Sequence, residues 1–361
     1  MIVMKVKLDN LYAFKDFEID MSYPKKTVKS SIESEHLHRY PNFRYKKVNI
    51  IIGSNASGKT TLGKAMMNIL NFITTKRTGE LEASIRDNTR PASFTFDFVD
   101  REYKLNRMVL DIMPSTNARK RYVFSYDSEV IRIRDSYQTC VTRLESRGRT
   151  YCDLSNTLNA IDSSGWVFSY PDERMGIGQS GSQETQLKTL RAILMTLDPS
   201  ITDVRLLEGV KDTSFIIEKD GREVLLQNGK LTAPERFSSG TLEGITIAGF
   251  LAGIIDGLYG FYYCDEHFSY IHSYIEKRIL GIMISKLGMD DQLFFTTHNE
   301  TVLEENLPKH AYTFLVRENG IIKALYANDY VQKPSANLRR AVENDVIRVI
   351  PDDCHLDDLE D

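Results

Sequence analysis

Gly53-Ser54-Asn55-Ala56-Ser57-Gly58-Lys59-Thr60 fits the pattern G-x-x-x-x-G-K-[ST] at every fixed position. An apolar run, Val48, Ile50, Ile51 and Ile52, precedes it, as a buried parallel strand would. After it, Leu62, Met66, Ile69, Leu70 and Ile73 recur at helical spacing between Thr61 and Thr74. Strand, glycine loop and helix form the context in which this pattern cradles phosphate. Gly53 and Gly58 let the backbone curl until successive N–H groups point inward, and the helix N-terminus adds positive potential. Lys59 supplies a point charge for β- and γ-phosphates. Thr60 is placed to ligate Mg²⁺, and Thr61 to touch an α-phosphate. Ser54, Asn55, Ala56 and Ser57 contribute the loop backbone.

Two further apolar strands follow downstream. Tyr259 to Cys264 ends in Asp265-Glu266, and carboxylates at the end of a parallel strand belong beside such a loop. Asp265 is expected to hold Mg²⁺ through its water shell, and Glu266 to orient or deprotonate an attacking water. Gln292 to Thr297 ends at His298, which can hydrogen-bond a γ-phosphate or that water. One helix, roughly Ile271 to Leu287, fits between the two strands. Phe237-Ser238-Ser239-Gly240-Thr241 precedes an apolar segment, Ile245 to Tyr259, and reads as a serine-capped helix N-terminus able to meet an anion.

The four motifs, in this order, resemble the ATP site of ABC-type ATPases. The Ser-Ser-Gly-Thr loop is similar to the signature motif of the RecF/SMC/OLD-like group. Val6 to Phe17 resembles the group's opening strand pair, and Ile271-His272-Ser273 its Leu-His-Pro region. The resemblance implies an α/β fold: a P-loop NTPase ABC-type head with a mostly parallel central sheet, an antiparallel β subdomain and a helical lobe. It implies residues 1–330 as a two-lobed head with an insert at about 75–230, and 331–361 as a tail. It also implies ATP and Mg²⁺ as cofactors. ATP on Lys59 of one copy would be capped by Ser238, Ser239 and Gly240 of another, in a homodimer or higher even oligomer. For the Q-loop glutamine, Gln138, Gln179, Gln183 and Gln186 all stand as candidates.

The gap from Thr60 to Ser238 is fewer than 180 residues and shows no sustained heptads, so no long coiled-coil arm is expected. No Toprim domain is expected after Ala327. The resemblance to stand-alone OLD-like ATPases implies a separately encoded protein effector, with bacterial antiphage defence as the setting. A RecF-like DNA-binding repair ATPase is the alternative.

The net charge of −4 makes the whole chain no electrostatic magnet for DNA. Locally, residues 101–150 hold eleven Lys/Arg against six Asp/Glu, including Arg119-Lys120-Arg121, Arg143, Arg147 and Arg149. Residues 24–47 are also basic, and 352–361 are acidic. A solvated face is the commoner reason for such runs; the other readings are a nucleic-acid or phosphate contact for the basic stretches and a partner-binding segment for the tail. The cysteines, Cys140, Cys152, Cys264 and Cys354, have no metal-ligand spacing and fit a reducing cytoplasm. No membrane span is expected, because Ile245 to Tyr259 is too short and is broken by Gly253, Asp256 and Gly257.

Three antiparallel hairpins are expected. One spans Ser93 to Ile112 around Asp100-Arg101, with Phe94, Phe96 and Phe98 on one face. The others turn at Asp220-Gly221, within Phe215 to Leu226, and at Asn319-Gly320, between Thr313–Val316 and Ile321–Tyr326. Residues 180–200 read as a helix, and Ser163 to Ser182, rich in Gly, Ser and Pro, as a loop or lid.

Overall fold

A computed structural model describes residues 1–361 except 24–29, 115–120, 162–164, 172–180, 211, 332–336, 345, 348 and 350–361. The chain divides into two units, Met1–Ser164 with Thr296–Asp361, and Gly165–Phe295. Arg119, Lys120, Gln179 and the acidic 352–361 stretch lie outside the described residues.

The first unit begins with β1 (Ile2–Asp9) and β2 (Phe17–Asp20), then a short hairpin of β3 (His36–Leu37) and β4 (Tyr40–Arg44). β5 (Val48–Ile52), buried at every position, runs into the glycine loop and α1 (Lys59–Thr75). α2 (Gly79–Ala83) follows, then β6 (Ala92–Val99), β7 (Lys104–Met113) and β8 (Arg121–Val130). α3 (Tyr137–Ser146) and α4 (Leu154–Ala160) complete this segment. An antiparallel sheet runs in the order β2-β1-β6-β7-β8, so the expected hairpin at Asp100-Arg101 is its centre.

Period-two alternation divides this sheet's side chains between two cores. Phe94 and Phe124 meet Phe72 of α1 edge-on, with ring centroids at 6.0 and 6.4 Å. A separate cluster gathers Met4, Val99 and Leu105 with Phe43, Tyr45 and Tyr137. α1 buries Leu62, Met66, Ile69, Leu70 and Ile73, the predicted stripe. The chain leaves α1 through Lys76 in the left-handed region, at φ 61°.

Several arginines of the basic stretch are paired within this unit. Arg107 grips buried Asp97 with two bonds of 2.7 Å. Arg143 bonds Glu129 at 2.8 Å and Asp135 at 2.9 Å, Arg147 bonds Glu129 at 2.6 Å, and Arg149 lies 3.6 Å from Asp111.

The second unit opens with β9 (Trp166–Ser169) and α5 (Gln183–Leu197). An antiparallel sheet follows: β10 (Ile201–Leu206), β11 (Ser214–Lys219), β12 (Arg222–Gln227) and β13 (Lys230–Leu231). Then come α6 (Ser239–Ile255), β14 (Phe261–Asp265), α7 (Ser273–Lys286) and β15 (Gln292–Thr297), whose last two residues are counted with the first unit. β14 pairs in parallel with β9, with Cys264 opposite Ser169. Gln292 opens β15 by donating its N–H to the Gly260 carbonyl at 3.0 Å. The Asp220-Gly221 turn has both residues at positive φ, 51° and 70°, as a two-residue hairpin requires. α5 and α6 pack so closely that a Cβ on Gly244 would stand 2.6 Å from Leu197 Cδ1.

β9 corrects the expectation of a loop or lid over Ser163–Ser182. Its buried Val167 and Ser169 form a strand whose partner is distant in sequence. The apolar helix ends at Ile255, and Gly257 turns the chain at φ 61°.

The chain then returns to the first unit. β16 (Tyr312–Glu318) lies parallel to β5, with Thr313 opposite Ile51, and turns at Asn319-Gly320 into antiparallel β17 (Ile321–Tyr326). α8 (Ala327–Tyr330) and α9 (Leu338–Glu343) follow. No helix of the described residues is long and apolar enough to cross a membrane.

Candidate nucleotide site

In the first unit, β5 delivers Gly53 to a place where only glycine fits. A Cβ there would stand 2.5 Å from both the Leu315 carbonyl oxygen and Ser57 Oγ. Ala56 has φ 60° and Gly58 φ 105°, so the backbone curls twice within the loop. Ser57 donates its N–H to the Ser54 carbonyl at 3.2 Å, and its buried Oγ has no hydrogen-bond partner among the described residues. Lys59 is 4% exposed, and its ammonium donates to the carbonyls of Gly53 at 2.6 Å and Ser54 at 3.0 Å. The ammonium is therefore held inside the ring of the loop by the loop's own backbone. Asn55 and Ala56 are exposed at the rim, while Thr60 and Thr61 are half-buried on the first turn of α1.

His298 is exposed just beyond β15. The next residue pins the chain on both sides. Asn299 donates its N–H to Thr297 Oγ1 at 3.0 Å, and its Oδ1 accepts from Thr301 N–H, capping a short 3₁₀ turn.

In the second unit, Asp265 closes β14 at 1% exposure. Glu266 follows in the left-handed region at φ 46°, an uncommon place for a residue with a side chain. Ser238 caps α6 as its sequence promises: Oγ accepts from Thr241 N–H at 3.2 Å and bonds Thr241 Oγ1 at 2.8 Å. Ser239 is exposed on the first turn.

Gly240 and Glu243 clasp the segment that follows Glu266. A Cβ on Gly240 would stand 2.7 Å from the Tyr270 carbonyl oxygen. Glu243 accepts the Tyr270 N–H at 3.4 Å, and burial pushes its carboxyl up to about 7. The serine loop and the strand-end acids are thus joined within one unit.

Sequence reading passed over three residues here. His267 is buried and bonds Ser169 across to β9, and Glu243 was hidden in an apolar helix. A histidine after strand-end acids, flanked by Phe268, was the available signal. His272 has a local role, its Nδ1 accepting the Tyr274 N–H at 3.2 Å to cap α7. Among the glutamines, Gln138 bonds Ser22 Oγ at 3.0 Å and Gln183 bonds Thr213 Oγ1 at 3.3 Å. Gln186 is buried and donates to the Gly181 carbonyl at 2.7 Å.

No protein-family model and no curated protein sequence matches the chain. Solved structures do match. An SMC head bound to the C-winged helix domain of ScpA aligns over 95% of this chain and 100% of that one, at a TM-score of 0.57 and 15% identity. A Pyrococcus furiosus Smc head with an extended coiled coil, bound to the C-terminal domain of ScpA, aligns over 96% and 99%, at 0.55 and 13%. A Pyrococcus yayanosii Smc head with a coiled coil and joint aligns over 95% and 99%, at 0.54 and 10%. The likeness is one of fold: this chain has the fold of SMC head domains.

Proposed function

We propose that this ATPase-head fold binds and hydrolyses ATP with Mg²⁺, closes head-to-tail on a second copy around the nucleotide, and so switches a separately encoded protein partner. The observation that carries the reading is the Lys59 ammonium, held by the Gly53 and Ser54 carbonyls inside a loop with no room for a Cβ at Gly53. Such a ring suits phosphate oxygens, which replace the carbonyls as partners of Lys59.

Thr60 and Asp265 fit Mg²⁺ as hard oxygen donors, one on the first turn of α1 and one a buried carboxylate. These two residues would hold Mg²⁺, which would supply charge neutralisation for the phosphates. Glu266 takes a proton from the attacking water, whose oxygen bonds to the γ-phosphorus as the bond to the β-phosphate oxygen breaks, giving ADP and phosphate. His298 hydrogen-bonds the γ-phosphate or the water. Ser238, Ser239 and Gly240 of the second copy cap the nucleotide through backbone N–H groups at the start of α6. Binding ATP favours the closed dimer and hydrolysis releases it, so the partner experiences a two-state clamp.

A DNA-binding role has less support, because Arg107, Arg143, Arg147 and Arg149 already face carboxylates of their own unit. DNA binding with a steep salt slope would revive it.

The test is ATP binding and turnover by wild type and Lys59→Ala. Wild type should release phosphate in the presence of Mg²⁺, and Lys59→Ala should lose nucleotide affinity while keeping its circular dichroism spectrum. A wild-type protein that neither binds nor hydrolyses ATP sinks the reading.

A further inference from the structure

His267 directly follows Glu266, and nothing in the mechanism above uses it. Its side chain is 2% exposed, and Nε2 lies 2.7 Å from Ser169 Oγ. Ser169 is 1% exposed, closes β9 and stands opposite Cys264 in the parallel ladder. The bond therefore ties the turn leaving β14 to the strand beside it. Burial drives the imidazole pKa down to about 4, so the ring is neutral at physiological pH. A neutral ring has one donor and one acceptor nitrogen, and a serine hydroxyl satisfies either.

The turn needs holding. Glu266 sits at φ 46°, where a side chain crowds the backbone. Besides the His267–Ser169 bond, the Phe268 ring packs at 5.4 Å from Phe295, and Ser269 Oγ donates to the Glu266 carbonyl at 3.1 Å. His267 is covalently adjacent to Glu266 and is fixed by a buried polar bond of its own side chain.

We infer that His267 is a positioning residue for Glu266, its bond to Ser169 pinning the Glu266–His267 peptide and so setting where the Glu266 carboxylate points. This rests on Glu266 being the base that activates water. A base acts only within hydrogen-bond reach of its proton, and a misplacement of about 1 Å costs ~10²-fold in rate. Nucleotide affinity, set by the phosphate loop, should be untouched.

The experiment compares kcat, KM for ATP and the Kd of a fluorescent ATP analogue in wild type, Ser169→Ala, His267→Ala and His267→Gln. Ser169→Ala is the mild variant, since it removes one oxygen and leaves the ring. Ser169→Ala and His267→Ala should lower kcat by ~10- to 100-fold with Kd within about twofold. His267→Gln, whose amide nitrogen reaches the place of Nε2, should recover most of the rate. In a Glu266→Gln background, Ser169→Ala should change the residual rate no further, whereas a merely structural bond would lower it again. Wild-type kcat in Ser169→Ala, or an equal fall in both backgrounds, overturns the inference. If His267→Ala fails to fold, Ser169→Ala and His267→Gln carry the test. Absence of ATPase activity in wild type would overturn the proposed function instead, so the two failures are distinct.

Discussion

Replacing Arg107 with Met should destabilise the first unit by about 3–5 kcal/mol, because it strands a buried charge. Asp97 is fully buried in β6 and stands directly opposite Arg107 of β7. Its two oxygens take Arg107 Nε and Nη2, both at 2.7 Å, the planar fork matching the carboxylate. Tyr137 of α3 donates to the same carboxylate at 2.6 Å, and burial together with the Asp97 charge pushes that phenol well above its usual range. Arg107 also bonds Glu145, but that carboxylate is 60% exposed, so this contact adds only ~0–1 kcal/mol. Glu145→Ala is therefore the control, expected to cost less than about 1 kcal/mol.

The double variant Arg107→Met/Asp97→Leu removes both charges and leaves only the Tyr137 hydroxyl short of a partner. It should recover to within about 1–3 kcal/mol of wild type. Urea unfolding followed by far-UV circular dichroism gives the stabilities, and hydrogen exchange across β6 and β7 localises the loss. If Arg107→Met unfolds within about 1 kcal/mol of wild type, the pair is not the buried brace described, and the basic stretch regains its claim to an external ligand.

Three other substitutions probe the site. Glu266→Gln should keep nucleotide binding, lower turnover by ~10²- to 10⁴-fold and accumulate an ATP-dependent dimer in mass photometry; normal turnover would remove Glu266 as the base. Gly240→Ala should cost ~1–3 kcal/mol in thermal unfolding, since its Cβ would meet the Tyr270 carbonyl oxygen at 2.7 Å; unchanged stability would mean the Tyr270 segment yields freely. His267, lowered from 6.5 to about 4 by burial, binds its proton more readily in the unfolded chain. Its stabilising effect is therefore complete above about pH 6.5 and declines as pH falls toward about 4, a difference of about 3 kcal/mol. Glu243, raised from 4.5 to about 7, has the opposite sign, stabilising most below its unfolded value and least once pH passes 7. Wild type should therefore lose more stability than His267→Gln between about pH 7 and pH 5, as read by urea midpoints; parallel pH profiles would contradict a buried neutral ring.

Much of this architecture is written in local chemistry. The phosphate loop is legible because glycine is required where a Cβ would strike Leu315 and Ser57, and that demand leaves a fixed spacing in the sequence. The turns at Asp220-Gly221 and Asn319-Gly320 are legible because two successive positive φ angles restrict residue choice. β14 is legible because Phe261–Cys264 is a continuous apolar run in a strand buried at every position and parallel to β9. β9 was missed because four residues between Gly165 and Tyr170 carry little pattern, and its partner, β14, lies far along the chain. The pairing of the arginines was equally hidden. Charge counts along a chain do not reveal that Asp97 faces Arg107 across a strand pair, or that Arg143 and Arg147 share Glu129. His267 shows in the sequence only as a histidine after the strand-end acids, because its partner Ser169 sits 98 residues away.

The pairing of β5 with β16 also bears on how the protein is made. The strand that presents the phosphate loop holds buried Asn49, whose side-chain oxygen accepts from Thr313 Oγ1, a bond spanning 264 residues. At ribosomal speeds of ~5–20 residues per second, that partner emerges on the order of half a minute after β5. Until then β5 lacks the neighbour against which Gly53 packs, the backbone at Leu315. A nascent chain therefore cannot complete the loop early: the packing around Gly53 closes only once the chain has been translated past Leu315.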